Sequence, residues 1–516
     1  MVRLLAGLVF LFLLFLPAPP TIGRLPVLDH HIPLEVLIIS GALAILPLAG
    51  RRLPRVLRWL LAVLVLLVAI LHLVDAEGPP LMGRDLDLAA DLRHVTSVFS
   101  LFAGAASPWQ IIAGIVGGIA LPLILIALTA WALGAIEVGF ADRRRAGAAL
   151  VICVLGLVLA RSPIVSTNSF AALKHQTRAV MDDWRASHGE HDAFVKALGP
   201  APRTDADLKG LAGNDVYLIF FESYGAVLLD DPTLRATAAP ALEQFGTTLA
   251  QAGFTLRTAR IASPTYGGGS WLAHGTVDSG TWLNSQLRYT LQTTTDRPTW
   301  PRLMKQAGYA TTDAMPGLKT PLDSAAYWGF DRMIGTDAFG YEGPSFGWFG
   351  LPDQFSLGVV EHLPREPQKP RFIQIVLLSS HLPFAPVPPY VEDWSDAGTF
   401  ASHPEVKHLA PPDWGNLAEP YGKSVVYDLK TLENWIPRAV QGNGLVIILG
   451  DHQPPALIGA ASASHDVPIH ILSRDGDLVR RLADKGFADG PFPGGSTGTM
   501  AELLPRFLDA YSSPHS

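Results

Sequence analysis

Residues 444–453 read GLVIILGDHQ, and this segment indicates both a fold and a chemistry. Its run of apolar, mostly β-branched residues is too short for an ordinary helix and is typical of a buried strand in a parallel sheet. Asp451 and His452 would then follow the carboxyl end of that strand, the edge at which open α/β sheets bind ligands. A carboxylate beside an imidazole is a metal-ligand pair. The alternative is an ordinary polar turn in which Asp451 serves as a cap.

Composition separates a membrane half from a soluble half. Of the 516 residues, 49% are hydrophobic and only 16% are charged, against about 25% charged residues in typical globular proteins. Apolar runs dominate before about residue 162, and the remainder has the balance of a soluble domain. The net charge of −7 gives no indication of a nucleic-acid partner, and the single cysteine, Cys153, excludes a disulfide within one chain.

Five apolar runs predict five transmembrane helices. Two of them, 34–48 and 148–160, are shorter than the roughly 17–25 residues that a span requires and would need flanking residues. The first run could instead be a signal peptide. The runs are residues 4–22, 34–48, 56–74, 111–138 and 148–160.

The charges of the connecting loops predict the orientation. Arginines cluster within residues 51–58 and at 143–145, and such clusters are typical of cytoplasmic loops. Both loops lie on the same side if there are five spans, so everything after residue 160 is expected outside the membrane. In the external loop 75–107, residues 91–105 have a helical pattern that suits either an interfacial helix or a plain connector.

The chain is therefore expected to have three parts: a transmembrane domain at 1–161, a connecting helix and linker at 162–209, and an external α/β domain at 210–516. In the last part strands alternate with helices, which favours a mainly parallel central sheet. The predicted strands are 215–221, 371–378, 445–449 and 467–472, and the predicted helices are 238–251, 299–308 and 497–511.

Three of the predicted strands end in residues suited to metal or phosphate chemistry. Glu222 follows the first strand, His381 the second, and Asp451 with His452 the third. Each is unremarkable alone, because strands often end in polar residues. Parallel strands deliver their carboxyl ends to one edge, however, so these side chains are expected to converge.

A glycine-rich segment supplies a candidate nucleophile. Residues 263–275 read SPTYGGGSWLAHG, in which three glycines precede Ser270 and a helix-compatible run. Glycines allow close approach of the backbone to a ligand, and a helix N-terminus favours an anion. Ser270 is thus placed to attack a phosphate or sulfate ester, or alternatively serves only as the N-cap of the helix.

Together these motifs resemble the alkaline phosphatase/sulfatase superfamily. They are most similar to its membrane-bound branch, which comprises lipoteichoic acid synthases, phosphoglycerol transferases and lipid A phosphoethanolamine transferases. The resemblance covers the membrane half, the connecting segment and the catalytic half. It implies that Glu222, Ser270, Asp451 and His452 bind one divalent metal ion, Zn or Mn, and that Ser270 is the nucleophile. His381, in a His-x-Pro segment, would bind the phosphate or shuttle a proton.

Departures from the family pattern bear on the substrate. Serine stands where the synthases usually present threonine, and Thr265 is the fallback nucleophile. The external domain has no cysteine, whereas phosphoethanolamine transferases of the lipid A type usually carry disulfides. Residues 348–355 (WFGLPDQF) are similar to the substrate segment of the synthases, which makes Trp348 and Asp353 candidates for head-group recognition. His465 stands near an extra phosphate-binding histidine of some members, or is a solvated turn residue.

The resemblance implies transfer of phosphoglycerol, or a similar head group, from a membrane phospholipid to an envelope glycan or lipid through a covalent Ser270 intermediate. The enzyme would lie in a bacterial inner membrane with its catalytic domain on the periplasmic or extracellular side. Alternatives are phosphoethanolamine transfer, hydrolysis by a membrane-anchored phosphodiesterase or sulfatase, and a non-enzymatic scaffold with a degenerate domain. The formylglycine motif Cys/Ser-x-Pro-x-Arg of the usual sulfatases is not matched by Ser263-Pro264-Thr265.

Overall fold

The computed structural model of the chain describes residues 1–16, 31–82, 88, 92, 108–162, 164–409, 412–456, 458 and 464–513. It forms two compact units, one of residues 1–80 with 85–184 and the other of residues 185–516 with 81–84. The division near residue 184 falls inside the predicted connecting segment. Apart from residue 92, the helix predicted at 91–105 lies outside the described residues.

The first unit is helical at each of the five apolar runs. Two of its described helices contain stretches long and apolar enough to cross a membrane, Arg55–Ala76 and Trp109–Gly139, whereas Val2–Leu14 and Leu34–Leu48 are shorter apolar helices. The count of five spans therefore stays a prediction. The helices are α1 (Val2–Leu14), α2 (Leu34–Leu48), α3 (Arg55–Met82), α4 (Pro108–Gly139), α5 (Arg143–Val158) and α6 (Asn168–Ser187), the last reaching into the second unit; strands β1 (Ile32–Pro33) and β2 (Val165–Ser166) pair in parallel.

The second unit is built on a nine-stranded sheet. Its central strands run parallel, because β3 pairs in parallel with both β7 and β8, and β5 with both β6 and β7. The strand order is β10-β4-β9-β8-β3-β7-β5-β6, with β11 beside β4. The strands are β3 (Val216–Phe221), β4 (Thr255–Ala262), β5 (Ala310–Ala314), β6 (Arg332–Ile334), β7 (Arg371–Leu377), β8 (Leu445–Gly450), β9 (Asp466–Ser473), β10 (Ala488–Asp489) and β11 (Ser496–Thr499).

Helices cover both faces of this sheet and enclose two hydrophobic cores. All side chains of β3, β7 and β8 are buried, as expected for strands covered on both faces. The predicted α/β class with a mainly parallel sheet is confirmed. The helices are α7 (His191–Lys196), α8 (Val227–Asp230), α9 (Pro232–Gln251), α10 (Ser270–Ser279), α11 (Gln286–Thr293), α12 (Trp300–Gln306), α13 (Ala325–Trp328), α14 (Thr336–Phe339), α15 (Asp353–Glu361), α16 (Ala418–Ala439), α17 (Gly476–Leu482) and α18 (Leu503–Tyr511).

One predicted strand is confirmed with a direction that the sequence did not specify, and one predicted helix begins later than expected. The strand predicted at 467–472 exists as β9 but runs antiparallel to both β8 and β4. The helix predicted at 497–511 begins only at Leu503, because Ser496–Thr499 forms β11 and Gly498 has a φ of 107° that no helix accommodates. Strand β4 was missed because its sequence, TLRTARIA, places arginines on a half-buried strand.

His470 provides a pH-dependent contribution to stability. The Thr258 hydroxyl donates to the Gly490 carbonyl, so it accepts from His470 Nδ1 at 2.8 Å, and His470 Nε2 accepts from the Tyr224 hydroxyl at 3.1 Å. Burial of this neutral ring lowers its pKa to about 3.

Between pH 6.5 and about 3, the unfolded chain binds a proton at His470 that the folded protein does not. The stability that this neutral ring contributes is complete above pH 6.5, and we expect it to fall by about 1.4 kcal/mol per pH unit as the pH drops through that window. Denaturant titrations of the wild type and of His470→Gln at several pH values measure this loss. Equal pH slopes for the two proteins would contradict it.

Candidate metal centre and active site

Three strand ends converge as the sequence predicts. Glu222 follows β3, His381 follows the end of β7, and Asp451 with His452 follows β8, all at the same edge of the sheet. Nε2 of His452 lies 3.4 Å from Oε1 of Glu222 and 3.8 Å from Oδ2 of Asp451. All three side chains are almost fully buried.

Backbone amides orient the Asp451 carboxylate. Its Oδ1 accepts from the amides of Ser223 at 2.8 Å and His452 at 2.7 Å. Its Oδ2 is buried and has no hydrogen-bond partner among the described residues. Ser223 reaches this position with a φ of 54°, in the left-handed region. One carboxylate oxygen is thus anchored, and the other is presented to the centre of the site.

The imidazole of His452 is oriented in the same manner. Its Nδ1 lies 2.8 Å from the backbone carbonyl of Gln453, an acceptor, so Nδ1 carries the proton. The other ring nitrogen, Nε2, is the one that faces Glu222 and Asp451. Metal-binding histidines are typically oriented by such a contact at the second ring nitrogen.

Ser270 completes the cluster. Gly267, Gly268 and Gly269 all have positive φ values, 67°, 149° and 79°, which residues with a side chain rarely adopt. This turn sets Ser270 at the first position of α10, where its Oγ lies 3.2 Å from Oε2 of Glu222 and 3.1 Å from Nε2 of His452.

Thr265 lies apart from this arrangement. It is buried, and its hydroxyl is 3.4 Å from Oγ of Ser263, which in turn donates to the backbone carbonyl of Asp451. Of the two candidate hydroxyls, only the Ser270 hydroxyl makes a hydrogen-bonding contact with Glu222 and His452.

The donor set fits a divalent cation. Among the described residues, Glu222, Asp451 and His452 bring one ligand atom each to within 4.8 Å of one another. Burial and the charge of Asp451 raise the pKa of Glu222 well above its ordinary value. Two adjacent buried carboxylates are costly without a compensating cation, and their oxygens with one imidazole nitrogen suit Zn²⁺ or Mn²⁺.

His381 lies beside this cluster. Its Nδ1 is 2.7 Å from the carbonyl of Leu382, so the opposite nitrogen, Nε2, has the free lone pair. Burial lowers the pKa of His381 to about 4, so the ring is neutral at pH 7. Trp348 and Phe349 flank the imidazole, with ring centroids 6.0 and 4.9 Å away, and the buried Trp348 Nε1 has no partner among the described residues.

Residues 274–470 match the family model described as Sulfatase. This matched range lies within the second unit. The matched range includes His381, Asp451 and His452. No curated protein matches the chain.

Solved structures of distant proteins are similar to part of this chain. A lipoteichoic acid synthase, LtaP, from Listeria monocytogenes is 17% identical over 63% of this chain and 78% of its own, with a TM-score of 0.39. The C-terminal periplasmic domain of EcEptC from Escherichia coli, in complex with Zn, is 16% identical over 61% and 84%, with a TM-score of 0.39. The phosphoglycerol transferase GacH from Streptococcus pyogenes, in complex with sn-glycerol-1-phosphate, is 14% identical over 63% and 86%, with a TM-score of 0.38.

Two other predicted substrate residues of the domain lie in different surroundings. Asp353 is fully buried at the start of α15, and its carboxylate accepts from the amides of Leu378 and Ser379 rather than facing a cavity. His465 packs against Tyr266, with the ring centroids 5.6 Å apart, and its carbonyl accepts from the amide of Ser263. Trp348 therefore lies beside His381, whereas the Asp353 side chain binds backbone amides.

His274 is a residue of the site that the sequence analysis missed. It lies one turn after Ser270 on α10, packs against Phe220 with ring centroids 4.1 Å apart, and places Nε2 3.8 Å from Oδ2 of Asp451. Both of these buried atoms have no hydrogen-bond partner among the described residues. The four-residue spacing from Ser270, which puts both side chains on one helix face, was the available signal.

We expect His274→Ala to weaken metal binding by about 10- to 100-fold, as is typical when a residue that orients a ligand is lost. His274→Gln, whose amide retains a donor, should recover part of the affinity. Competition with a chelator, monitored by metal content, measures both variants. An unchanged affinity in His274→Ala would show that His274 only fills space beside Phe220.

Proposed function

We propose that the protein transfers a phosphoglycerol head group from a membrane phospholipid to an envelope glycan or lipid through a covalent intermediate on Ser270. The observation that supports this most is the position of Oγ of Ser270, 3.2 Å from Glu222 and 3.1 Å from His452 at a helix N-terminus. Such a hydroxyl has its reactive atom beside a cation site and near free backbone donors, which suits attack on a phosphodiester.

Glu222, Asp451, His452 and the Ser270 hydroxyl would hold one divalent ion, Zn²⁺ or Mn²⁺. When bound, such an ion lowers the pKa of a coordinated hydroxyl and stabilises negative charge on phosphoryl oxygens. The chain's own contribution is to present these donors already oriented, through the amides that bind Oδ1 of Asp451 and the carbonyl that binds Nδ1 of His452.

In the first step, Oγ of Ser270 attacks the phosphorus of the donor lipid. A bond forms between Oγ and phosphorus, and the bond from phosphorus to the diacylglycerol oxygen breaks. The hydroxyl proton of Ser270 is lost, and the departing oxygen takes up a proton as diacylglycerol leaves. The intermediate is a phosphoglycerol ester of Ser270.

In the second step, an acceptor hydroxyl attacks the same phosphorus. The new bond joins phosphorus to the acceptor oxygen, the bond to Oγ of Ser270 breaks, and the serine is regenerated with a proton. Dividing one difficult displacement into two easier ones is the usual advantage of a covalent intermediate.

His381 and Trp348 are the proposed groups on the substrate side. The neutral His381 ring has its free lone pair on Nε2, so it can take or return a proton during each displacement. The Nε1–H of Trp348 has no partner in the part of the chain that the structure describes, so it is a donor for a head-group oxygen. His465 remains a further candidate for the phosphate.

The proposed setting is a bacterial inner membrane with the catalytic domain on the periplasmic or extracellular side. The membrane unit would keep the protein at the surface from which the donor lipid is drawn. Five spans with the arginine-rich loops in the cytoplasm would place residues after 160 outside.

Product analysis tests this function. The purified full-length protein, in detergent with Zn²⁺ or Mn²⁺, is incubated with phosphatidylglycerol or phosphatidylethanolamine labelled in the head group. We expect release of diacylglycerol from phosphatidylglycerol and no release by the matched control Ser270→Ala. Preference for phosphatidylethanolamine would favour phosphoethanolamine transfer. Rapid accumulation of free glycerol phosphate in the presence of acceptor lipids and glycans would indicate a hydrolase.

A further inference from the structure

The turn that carries His381 is held from two sides. On one side, the amides of Leu378 and Ser379 donate to the carboxylate of Asp353, at 2.9 and 2.6 Å, while the amide of Asp353 donates to Oγ of Ser379 at 3.1 Å. On the other side, Oγ of Ser380 donates to the carbonyl of Glu222 at 2.7 Å. The position of His381 relative to the cation ligands therefore depends on these contacts.

A second buried acid faces the same turn. Asp428 lies on α16 and is fully buried. It is close to Asp353, because the hydroxyl of the preceding Tyr427 accepts from the amide of Gln354 at 3.2 Å, and Ser379 and Ser380 are also nearby. Neither of its carboxyl oxygens accepts a hydrogen bond from any donor in the part of the chain that the structure describes. The Ser380 hydroxyl already donates its proton to Glu222. An ionised Asp428 would therefore have no hydrogen-bond donor among the described residues to stabilise its charge.

Ionising both Asp353 and Asp428 would be energetically unfavourable, because two negative charges would lie close together in the protein interior. Burial raises the pKa of Asp353, and the backbone hydrogen bonds that it accepts oppose this effect because they favour its charged form. Burial and the charge of Asp353 raise the pKa of Asp428 well above its ordinary value. Tyr427 is also buried, and burial together with the charges of Asp353 and Asp428 raises the pKa of its phenol.

We propose that Asp428 is a protonated carboxylic acid that donates its hydrogen to the Asp353 carboxylate, and that this pair positions the 378–381 turn and with it His381. The two acids are positioning residues, since neither contacts the reacting atoms. This role replaces the head-group contact that the sequence suggested for Asp353. The inference rests on the proposed function only in that His381 takes part in phosphoester chemistry.

The pair predicts opposite outcomes for two isosteric changes. In Asp428→Asn, the amide N–H replaces the acid O–H as donor to Asp353, so turnover should stay within about threefold of the wild type. In Asp353→Asn, an NH₂ group would face the amides of Leu378 and Ser379, so kcat should fall by on the order of 10²-fold, the loss expected when a catalytic group is displaced by about 1 Å. Asp428→Leu, which offers no donor, should resemble Asp353→Asn.

The readout is turnover of the chromogenic diester bis(p-nitrophenyl) phosphate by the full chain, with metal content and thermal unfolding measured in parallel. A lipid substrate is not needed, so the result stands even if the proposed lipid donor is wrong. Equal losses in Asp428→Asn and Asp353→Asn would overturn the donor assignment. Near-normal turnover in Asp353→Asn would overturn the positioning role, and metal loss in that variant would do the same by making the pair part of the cation site.

Discussion

Replacing Ser270 by alanine is expected to lower turnover at least about 10³-fold and to eliminate any covalent phosphoryl adduct. The physical reason is that, among the described residues, the Ser270 hydroxyl is within hydrogen-bond distance of both Glu222 and His452. Without it the remaining groups still bind a cation and a phosphate, but no group forms the ester. The measurement is steady-state turnover combined with phosphate analysis of the protein.

Thr265→Ala is the matched control for this prediction. The threonine hydroxyl is buried beside Ser263, so its loss should leave the adduct detectable. Ser270→Thr should retain part of the activity, because threonine also presents a hydroxyl on its β-carbon. Near-normal turnover in Ser270→Ala would overturn the nucleophile assignment and leave only the cation site.

Replacing Glu222 or Asp451 by alanine should remove both bound metal and activity while the domain stays folded. Each carboxylate supplies a charged ligand atom within 4.8 Å of the others, and His452 alone cannot compensate for its loss. Metal analysis of the purified variants, with circular dichroism to monitor folding, measures the effect.

Asp313→Asn provides the control for removing a buried carboxyl group. Asp313 is buried on β5, and burial raises its pKa to about 7, but it is not part of the cation cluster. This variant should bind metal as the wild type does. Full metal occupancy in both Glu222→Ala and Asp451→Ala would mean that the cluster is not a metal site.

The sequence alone was sufficient to predict the site residues that directly follow a strong local pattern, such as an apolar run or a run of glycines. Glu222 and Asp451 follow continuous apolar runs, and a buried parallel strand is the only short element that such runs commonly form. Ser270 follows three glycines, whose positive φ values the structure confirms. The clustering of these residues could be predicted from the sequence, because parallel strands end at one edge of the sheet.

Other parts of the site depend on contacts that no local pattern encodes. Asp428 lies in the middle of a long helix and faces Asp353 only through the packing of that helix beside the sheet. His274 becomes relevant because α10 directs it at Asp451. The substrate segment at 348–355 is similar in sequence to that of the synthases, yet only the structure separates Trp348, beside His381, from Asp353, which binds backbone amides. The antiparallel direction of β9 depends likewise on its pairing with β8 and β4.

Intact-protein mass spectrometry is the most direct test of the covalent intermediate on Ser270. The full-length protein is loaded with metal, incubated briefly with phosphatidylglycerol without acceptor, quenched in acid and weighed, and its peptides are then sequenced. We expect a mass increase of one glycerophosphoryl group, located on Ser270 and absent from Ser270→Ala. Release of diacylglycerol without any adduct under these conditions, or an adduct located on Thr265, would contradict it.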